Sequence, residues 1–266
     1  MSIREMYDMQ GKVAVVIGGA RDLGYDMAEA LADAGCSVAV TSRTLANAEV
    51  AARRLSESTG REVMADALDI CDHAQVAAFA EKAKSWKGQI DVLVNNAGGG
   101  LGMVPTNLFE RAPEHIERLI HTNLTGVLYC CQEFGRQLKA QKSGSIINIA
   151  SIAGLCGRDR RMYDENGLGE QPIEYAAAKA GVIGMTMDLA GLLSPHGVRV
   201  NAISPGGFER GQPQTFVDAY SRATPMGRMG TDGVDLKGAV VFLASAAAGY
   251  VTGQNLVVDG GFAIWK

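Results

Sequence analysis

The sequence predicts an α/β protein in which helices cover both faces of a mostly parallel sheet. Short apolar runs, nearly continuous in hydrophobicity, alternate along the chain with longer segments of helical periodicity. Strands that are joined through helices need crossover connections, which place neighbouring strands parallel to each other. No Pro/Ser-rich linker or shift in composition divides the 266 residues. We therefore expect a single domain, residues 1–266.

Seven segments have the composition of strands that are buried on both faces. The run at 13–17, Val-Ala-Val-Val-Ile, is the clearest of them. The others are residues 37–40, 62–68, 92–94, 146–149, 198–203 and 255–258. Residues 238–258 carry no formal charge and are long enough to span a bilayer, but their polar residues favour a buried helix, a turn and a strand.

Six segments repeat apolar residues at the spacing of an amphipathic helix. They are residues 24–34, 46–58, 73–86, 113–140, 174–193 and 234–247. Helices 113–140 and 174–193 also carry small or apolar residues beyond what one sheet face needs, which favours pairing with another copy of the chain. These residues are Gly126, Cys130, Gly181, Gly184 and Ala190. The alternative is that they pack against neighbouring elements of the same chain.

Two long segments, residues 98–112 and 156–172, fit no regular element. Connections of this length in a compact domain are usually functional. Each follows the carboxyl end of a predicted strand, where open α/β sheets bind ligands. We expect both to border a binding site, with residues 156–172 as an insert and residues 207–229 as a lid over the substrate.

The charge balance excludes several classes of protein. With 25 Lys and Arg against 29 Asp and Glu, the formal net charge is −4, and no basic surplus indicates a nucleic acid or an anionic membrane as a partner. The 5 cysteines lack paired spacing and the 4 histidines lack metal-ligand spacing, which favours a reducing compartment and no metal site. Residues 1–10 lack the apolar core of a signal peptide. We expect a cytoplasmic protein.

A glycine-rich turn follows the first predicted strand and leads into the first helix. Its glycines let the backbone turn sharply and approach a pyrophosphate, whose charge the helix N-terminus attracts. The residues expected to face that group are Gly18, Arg21, Asp22 and Leu23. A tight connection without a ligand is the alternative, and the position after the first strand of an alternating chain favours a dinucleotide site.

The end of the second strand favours NADP(H) over NAD(H). An NAD site usually has an acidic residue here for the ribose hydroxyls. This strand ends in Ser42 and Arg43 instead, and no carboxylate follows before Glu49. Arg43, helped by Arg21, can pair with a 2′-phosphate. Solvated surface arginines are the alternative, and NAD(H) stays open as the cofactor.

Polar residues also follow the third and fourth strands. Asp69 and Ile70 are expected to hydrogen-bond and cover an adenine. The turn at residues 95–98 is expected to border a ribose through Asn95, Ala97 and Gly98. Each of these residues is an ordinary turn former on its own, but together they share one edge of the sheet.

Tyr175 and Lys179 lie one helical turn apart on the same face of the predicted helix 174–193. A phenol titrates near ~10 and is a poor base at neutral pH. A nearby ammonium group stabilises the phenolate and lowers its pKa, which makes Tyr175 a usable proton donor or acceptor. On its own, such a pair is more often a surface feature.

Together these residues resemble the short-chain dehydrogenase/reductase family. The motifs follow the family's order over almost the whole chain: Gly18…Gly24, Asn95-Asn96-Ala97-Gly98, Asn123-Leu124-Thr125-Gly126, Asn148-Ile149-Ala150-Ser151, Tyr175…Lys179, Arg199-Val200-Asn201, Ser204-Pro205-Gly206-Gly207 and Val258-Asp259-Gly260-Gly261. The resemblance implies a Rossmann fold with a seven-stranded parallel sheet. It also implies an oxidoreductase that assembles into homodimers or homotetramers.

The resemblance further implies a catalytic tetrad of Asn123, Ser151, Tyr175 and Lys179. Tyr175 would be the general acid/base, and Ser151 would hydrogen-bond the substrate oxygen. Lys179 would lower the tyrosine pKa and hold the nicotinamide ribose, while Asn123 would hold a water in a proton relay. Cofactor contacts implied near the nicotinamide are those of Tyr175, Lys179, Pro205, Gly206 and Phe208.

The chain departs from the family's pattern in four places. Asp22 replaces the middle glycine of the turn, and we expect its side chain to cap the following helix. Ile17 stands where a threonine usually ties the turn. The insert lengthens the segment between Ser151 and Tyr175, and the threonine that usually holds the carboxamide is absent after residue 206.

The segments expected around the substrate are polar, which favours a sugar, a polyol or a sugar acid over a steroid or a long acyl chain. The residues expected to bind it are Ser151, Arg158, Arg161, Tyr175, Gly207 and Arg210. A solvated, self-neutralised loop is the alternative for the arginines of the insert. The sequence thus predicts an NADP(H)-dependent oxidoreductase that interconverts a secondary alcohol and a ketone. A 3-oxoacyl-thioester reductase and a catalytically idle dinucleotide-binding scaffold are the alternatives.

Overall fold

The sheet has the predicted parallel arrangement. The computed structural model describes residues 1–100, 106–169 and 171–265; residues 101–105 of the expected loop 98–112 and residue 170 of the expected insert lie outside the described residues. The strands are β1 (Val13–Ile17), β2 (Ser37–Ser42), β3 (Val63–Ala67), β4 (Val92–Asn95), β5 (Gly144–Ile149), β6 (Val198–Pro205), β7 (Phe208–Glu209), β8 (Gly230–Thr231) and β9 (Asn255–Val258). Seven of them form one parallel sheet in the order β3-β2-β1-β4-β5-β6-β9, and β7 pairs with β8 separately. The order reverses between β1 and β4, which opens a crevice above their carboxyl ends.

The six predicted helices are present, with one of them divided, and the short helices α1, α7 and α9 were not predicted. They are α1 (Ile3–Tyr7), α2 (Asp22–Asp33), α3 (Leu45–Thr59), α4 (His73–Lys87), α5 (Pro113–Ile120), α6 (Gly126–Gln141), α7 (Arg161–Asp164), α8 (Ile173–Leu193), α9 (Gln214–Arg222) and α10 (Lys237–Ala244). The predicted helix 113–140 is in fact α5 and α6, joined by a π-helical turn at His121–Thr125. Short helices α7 and α9 lie in the insert and the lid, where no regular element was predicted.

Burial on both faces explains why the strands are continuously apolar. All five residues of β1 are buried. Val16 belongs to the core that holds Met27 and Leu31 of α2. Ile17 belongs to the opposite core, with Phe134 of α6. Successive side chains of a strand point to opposite faces, so a strand between two helical layers needs apolar residues at every position.

The outer faces of α6 and α8 differ from the sequence-based expectation. Gly126, Cys130 and Ala190 are buried within their own chain. A Cβ on Gly181 would contact Leu124. Of the five small or apolar residues that the sequence analysis singled out on these helices, only Gly184 has open space around it among the described residues. These small residues therefore mostly allow close packing inside the domain. The exposed apolar side chains on these helices are Leu128, Met187 and Leu192.

The helix α8 has the length and composition of a membrane-spanning helix, and one of its sides packs on the sheet. Residues Ile173–His196 have a mean hydropathy of 1.3 over an 18-residue window. The helix packs against β6 and carries Glu174 and Lys179 on its buried side. Residues 238–258 likewise form α10, a short 3₁₀ turn at Ala246–Ala248 and β9, as predicted.

The insert and the lid pack on each other. Met162 of the insert joins Phe216 and Tyr220 of α9 in a hydrophobic cluster that is separate from the two cores of the sheet. The rings of Tyr163 and Phe216 lie 5.3 Å apart, and those of Tyr220 and Phe262 are stacked at 4.4 Å. The two segments thus form one cap over the carboxyl edge of the sheet.

Candidate active site

A long cleft follows the carboxyl edge of the sheet, beside the strand-order reversal. The predicted site residues in its lining are Gly18, Arg21, Asp22, Leu23, Ser42, Arg43, Asp69, Ile70, Ala97, Gly98, Ser151, Tyr175, Lys179, Pro205, Gly206 and Arg210. The predicted residues that lie outside this lining are Asn95, Asn123, Arg158, Arg161, Gly207 and Phe208. The fold therefore brings most of the expected residues together, because parallel strands end at a common edge.

The glycine turn is held by two side chains that the sequence analysis did not assign to it. The Gly18 N–H donates to Thr41 Oγ1 at 3.1 Å, and Asn96 Nδ2 donates to the Gly18 carbonyl at 2.9 Å. A Cβ on Gly24 would lie 2.1 Å from that carbonyl oxygen, so only glycine lets α2 begin this close to the turn. Thr41 supplies the hydroxyl that Ile17 lacks.

Asp22 keeps the backbone conformation of a glycine, with φ at +52°. Aspartate is among the few residues that adopt this left-handed conformation at moderate cost. The expected helix cap is wrong, because the side chain of Asp22 makes no capping hydrogen bond and Arg21 occupies the cap position. A capping residue needs extended backbone, which Asp22 does not have. Its carboxylate instead lies 3.5 Å from the Arg21 guanidinium, which offsets its charge.

The end of β2 presents Ser42 and Arg43 to the cleft. The side chain of Arg43 is exposed. Within residues 1–100, 106–169 and 171–265, no carboxylate forms an ion pair with it. Further along the same wall, Asp69 Oδ1 accepts a hydrogen bond from the Cys71 N–H at 3.0 Å. The wall thus offers an unneutralised cation near the end of β2 and a carboxylate near the end of β3.

Asn95 lies behind the cleft and does not border it. Its side-chain amide donates to Asn148 Oδ1 at 2.8 Å, and Asn148 in turn donates to Thr186 Oγ1 at 3.0 Å. This buried chain of hydrogen bonds ties β4 to β5 and α8. The placement corrects the expectation that Asn95 borders a ribose, because strand alternation turns Asn95 inward and Asn96 towards the glycine turn.

Asn123 lies in the π-helical turn and is fully buried. Its Oδ1 accepts from the Gly99 N–H at 2.7 Å. Its Nδ2 donates to the carbonyls of Gly99 at 3.0 Å and Leu119 at 3.1 Å. A Cβ on Gly98 would lie 2.6 Å from Asn123 Oδ1. The side chain therefore clamps the loop after β4, and π turns are frequent where such a functional side chain must be re-aimed.

Ser151 and Tyr175 meet at the cleft although the insert separates them in sequence. Ser151 Oγ accepts from the Ala153 N–H at 3.1 Å, and the Ser151 side chain is close enough to the Tyr175 hydroxyl to lower the pKa of that group. The guanidinium of Arg158 lies 5.8 Å from the centroid of the Tyr175 ring. Burial raises the pKa of Tyr175, and the Ser151 side chain and the positive charge of Arg158 act against that increase.

The Lys179 ammonium is held inside the protein beside this tyrosine. It donates to the Ile149 carbonyl at 2.7 Å and lies 5.6 Å from the centroid of the Tyr175 ring. Removal from water lowers the pKa of Lys179 to about 8. The sequence assigned the lowering of the Tyr175 pKa to Lys179. Ser151 and Arg158 act in this direction in the structure, and the effect of Lys179, whose ammonium is hydrogen-bonded to a strand carbonyl, stays a prediction.

Two other arginines expected at the substrate are already paired. Arg161 is 82% exposed and forms an ion pair with Asp159 at 2.6 Å, so it points to solvent rather than into the cleft. Arg210 lines the cleft, but it is held by Asp232 at 2.5 Å and lies 3.8 Å from Asp26. The sequence placed these cations correctly in the insert and the lid but did not reveal their acidic partners.

The chain turns away from the cleft after Gly206, the first residue beyond β6, and returns to it at Arg210. Pro205 and Gly206 line the cleft. The Gly207 N–H donates to the Tyr220 hydroxyl at 2.6 Å. Phe208 is buried in the core around α2, which corrects the expectation that it contacts the cofactor. Phe208 is the first residue of the short strand β7. Its side chain is buried, and that of the next residue, Glu209, is exposed.

Sequence reasoning thus missed several side chains at the site, among them Thr41, Asn96 and Gln171. The sequence could have indicated Thr41, because this residue directly precedes Ser42 at the end of a strand that was predicted to face the cofactor. The sequence could also have indicated Asn96, because it is the second asparagine of the turn after β4. Gln171 lines the cleft and binds Arg158. No sequence pattern indicated this residue, because its contact depends on the path of the insert.

Comparison with known proteins identifies the class. A family model described as enoyl-(acyl carrier protein) reductase matches residues 18–263. A galactitol 2-dehydrogenase of Rhizobium johnstonii is 34% identical over 274 residues, 100% of both chains. A 3-oxoacyl-[acyl-carrier-protein] reductase of Chlamydia trachomatis is 34% identical over 256 residues, 95% of this chain and 97% of that one. The crystal structure of a gluconate 5-dehydrogenase from Burkholderia cenocepacia, in complex with NADP and tartrate, superposes with a TM-score of 0.88 at 31% identity and covers 99% of each chain.

The protein is therefore an oxidoreductase with a Rossmann-type fold. It belongs to the short-chain dehydrogenase/reductase family, whose members bind a nicotinamide dinucleotide. The resemblance carried by the sequence motifs is thus confirmed, and the idle scaffold loses its support.

Replacement of Lys179 by methionine tests the buried ammonium through stability. The pKa of Lys179 is about 8 in the folded protein against 10.5 for a free side chain. Between these values the unfolded chain holds a proton that the folded chain lacks, so the contribution of Lys179 to the free energy of unfolding rises with pH. We measure the free energy of unfolding of the wild type and of Lys179→Met with urea. The difference, wild type minus variant, is expected to increase from about pH 8 to pH 10. A difference that does not vary with pH would mean that the ammonium is solvated.

Proposed function

We propose that the protein is an NADP(H)-dependent oxidoreductase that interconverts a secondary alcohol and a ketone on a sugar, a polyol or a sugar acid. The observation that carries the proposal is the convergence of Ser151, Tyr175 and Lys179 on the cleft that begins at the glycine turn. Tyr175 is the general acid/base of this proposal. Its hydroxyl is a titratable group of the cleft, and the Ser151 side chain acts on its pKa.

The residues present fit a dinucleotide. Gly18 and Gly24 leave the backbone of the turn free of side chains, and the N-terminus of α2 faces the cleft and favours negative charge. The lining continues without a break from this turn to Tyr175. A bound nicotinamide supplies the hydride donor or acceptor.

The protein's own groups handle the proton. In oxidation, the substrate hydroxyl gives its proton to the phenolate oxygen of Tyr175 as the carbon–hydrogen bond breaks, and in reduction the phenol returns it to the alkoxide. The Ser151 hydroxyl donates a hydrogen bond to the same substrate oxygen and stabilises its developing charge. Asn123 positions the loop after β4, and Lys179 holds a positive charge beneath the reacting groups.

The choice of NADP(H) rests on Arg43. Its exposed guanidinium at the end of β2 can form charge-assisted hydrogen bonds with a 2′-phosphate. Arg21 contributes less than the sequence suggested, because Asp22 already neutralises it. The similar gluconate 5-dehydrogenase is described with bound NADP, which agrees with this choice.

The substrate class rests on the cap and on the relatives. Residues 156–172 and 207–229 are proposed as the substrate insert and lid, because they pack together above Ser151 and Tyr175. Galactitol 2-dehydrogenase and gluconate 5-dehydrogenase, both similar to this chain, act on polyhydroxylated substrates by name. Arg158, Gly207 and Arg210 stay on the proposed substrate side, although Gly207 and Arg210 already bind protein groups.

A 3-oxoacyl-thioester reductase is the second candidate. It is favoured by the 3-oxoacyl-[acyl-carrier-protein] reductase that is as similar to this chain as the galactitol enzyme. A panel of alditols, aldonates and 3-oxoacyl thioesters, followed at the nicotinamide absorbance, separates the two. Faster turnover of the thioesters would replace the carbohydrate proposal.

We also propose a cytoplasmic homo-oligomer, a dimer or a tetramer. The exposed Leu128, Met187 and Leu192 lie on α6 and α8, and Val257, Ile264 and Trp265 are exposed near the C-terminus. Apolar side chains on the outside of packed helices are typical of contacts between copies. We expect sedimentation velocity to give a dimer or a tetramer, and Met187→Glu to weaken it. A monomer at micromolar concentration would contradict this.

Replacement of Tyr175 by phenylalanine tests the general acid/base. Without the hydroxyl the proton has no donor or acceptor at the reacting oxygen, so kcat falls by about 10²- to 10⁴-fold. The ring still fills its place, and we expect NADPH binding, followed by its fluorescence, to change little. Turnover close to that of the wild type would overturn the mechanism.

Replacement of Arg43 by alanine tests the cofactor choice. We expect kcat/KM for NADPH to fall by about 10- to 100-fold, because charge-assisted hydrogen bonds to the 2′-phosphate are lost. The value for NADH, which lacks this phosphate, stays near that of the wild type. Arg53→Ala removes the same charge from an exposed position on α3 and serves as the control. Equal losses with both cofactors would argue against the role of Arg43.

A further inference from the structure

Arg158 is held above the proposed general acid/base by neutral groups. Its Nη1 donates to the Gln171 carbonyl at 3.2 Å and its Nη2 to Gln171 Oε1 at 2.7 Å. Its guanidinium lies over the ring of Tyr175, and its charge also acts on Tyr163 of the insert. These contacts fix the cation between the insert and the cleft, whose lining includes Gln171 and Tyr175.

The charge of Arg158 is not neutralised by an acidic neighbour in the described parts of the chain (1–100, 106–169 and 171–265). The other arginines expected at the substrate contrast with it, because Arg161 is paired with Asp159 and Arg210 with Asp232. A guanidinium has five N–H donors, so two bonds to Gln171 leave donors for a further partner. A partly buried cation without a counter-ion favours an anionic ligand.

We propose that Arg158 binds a carboxylate of the substrate, so that the substrate class is a hydroxy acid of the aldonate type rather than a neutral alditol. This inference rests on the proposed function and narrows it. The Tyr175 hydroxyl is at the end of the ring that Arg158 covers, so one small molecule can contact both groups. A planar guanidinium binds a carboxylate through two parallel hydrogen bonds, which also orients the carbon chain.

The test compares two substrates that differ only in the carboxylate. Gluconate and glucitol, or galactonate and galactitol, have the same hydroxyl configuration, and each is oxidised with NADP⁺. The measured quantity is the ratio of kcat/KM for the aldonate to that for the alditol. Any effect of Arg158 on the acidity of Tyr175 is common to both substrates and cancels in this ratio.

We expect the wild type to prefer the aldonate and Arg158→Gln to lower the ratio by about 10- to 100-fold, the value of charge-assisted hydrogen bonds. Arg158→Lys keeps the positive charge but loses the planar pair of N–H donors that binds a carboxylate through two hydrogen bonds. We therefore expect a ratio between those of the wild type and Arg158→Gln. Gln171→Glu leaves Arg158 in place and gives it an internal carboxylate partner, which competes with that of the substrate. It should therefore lower the ratio in the same direction.

Arg53→Gln is the matched control, because it removes the same charge from an exposed position on α3, outside the insert and the lid. We expect it to leave the ratio unchanged. Thermal unfolding of each variant separates loss of the fold from loss of recognition, and Arg158→Lys and Gln171→Glu carry the test where Arg158→Gln does not fold.

The failures of the two proposals are distinguishable. Equal losses on the aldonate and the alditol in Arg158→Gln would show that Arg158 acts through Tyr175 or the fold, which overturns carboxylate binding and leaves the oxidoreductase proposal intact. A wild type that oxidises only alditols would likewise overturn carboxylate binding alone. A wild type that oxidises neither substrate overturns both proposals.

Discussion

The site depends on keeping one ammonium group entirely out of water. A buried, uncompensated cation costs several kcal/mol, and even with a carbonyl partner its charged form is disfavoured. Lys179 meets the Ile149 carbonyl at the end of β5, so α8 must hold a fixed position relative to that strand. The buried bond from Asn148 of β5 to Thr186 of α8 secures this position two helical turns away. Because Tyr175 precedes Lys179 by one turn, its hydroxyl is fixed by the same packing.

The charges around the cleft follow a related constraint. Two of the arginines that line the cleft have an acidic partner within the fold, Arg21 with Asp22 and Arg210 with Asp232. An arginine with an internal partner gains little from a ligand anion, because the new contact replaces an existing one. Arg43 at one end and Arg158 at the other have no such partner in the described ranges. Arg43 and Arg158 are thus available to anions, at positions that match the proposed 2′-phosphate and the proposed substrate carboxylate.

The sheet and the catalytic side chains were predictable from sequence because their signals are local. Continuous apolar strands, glycines at a strand end and a Tyr-Lys spacing of one turn can all be read without knowing the path of the chain. The errors have a different origin. One extra residue in the π-helical turn around Asn123 hardly changes the hydrophobic period of a long helix. The inward direction of Asn95 and Phe208, and the partners of Arg161 and Arg210, depend on tertiary contacts that no local pattern encodes.

The cap explains how the substrate side can vary while the chemistry stays fixed. Insert and lid pack through Met162, Phe216 and Tyr220, in a cluster separate from the two cores of the sheet. The sheet strand β5 and most of α8 pack in other clusters, whereas Ile152, next to Ser151, packs against the cap. The cap meets the catalytic part through the Gly207 N–H bound to the Tyr220 hydroxyl, directly after the strand that ends at the cleft, and through Arg158 over the Tyr175 ring. A rearrangement of the cap therefore reaches the cleft at the side where the substrate is expected and leaves the glycine turn undisturbed.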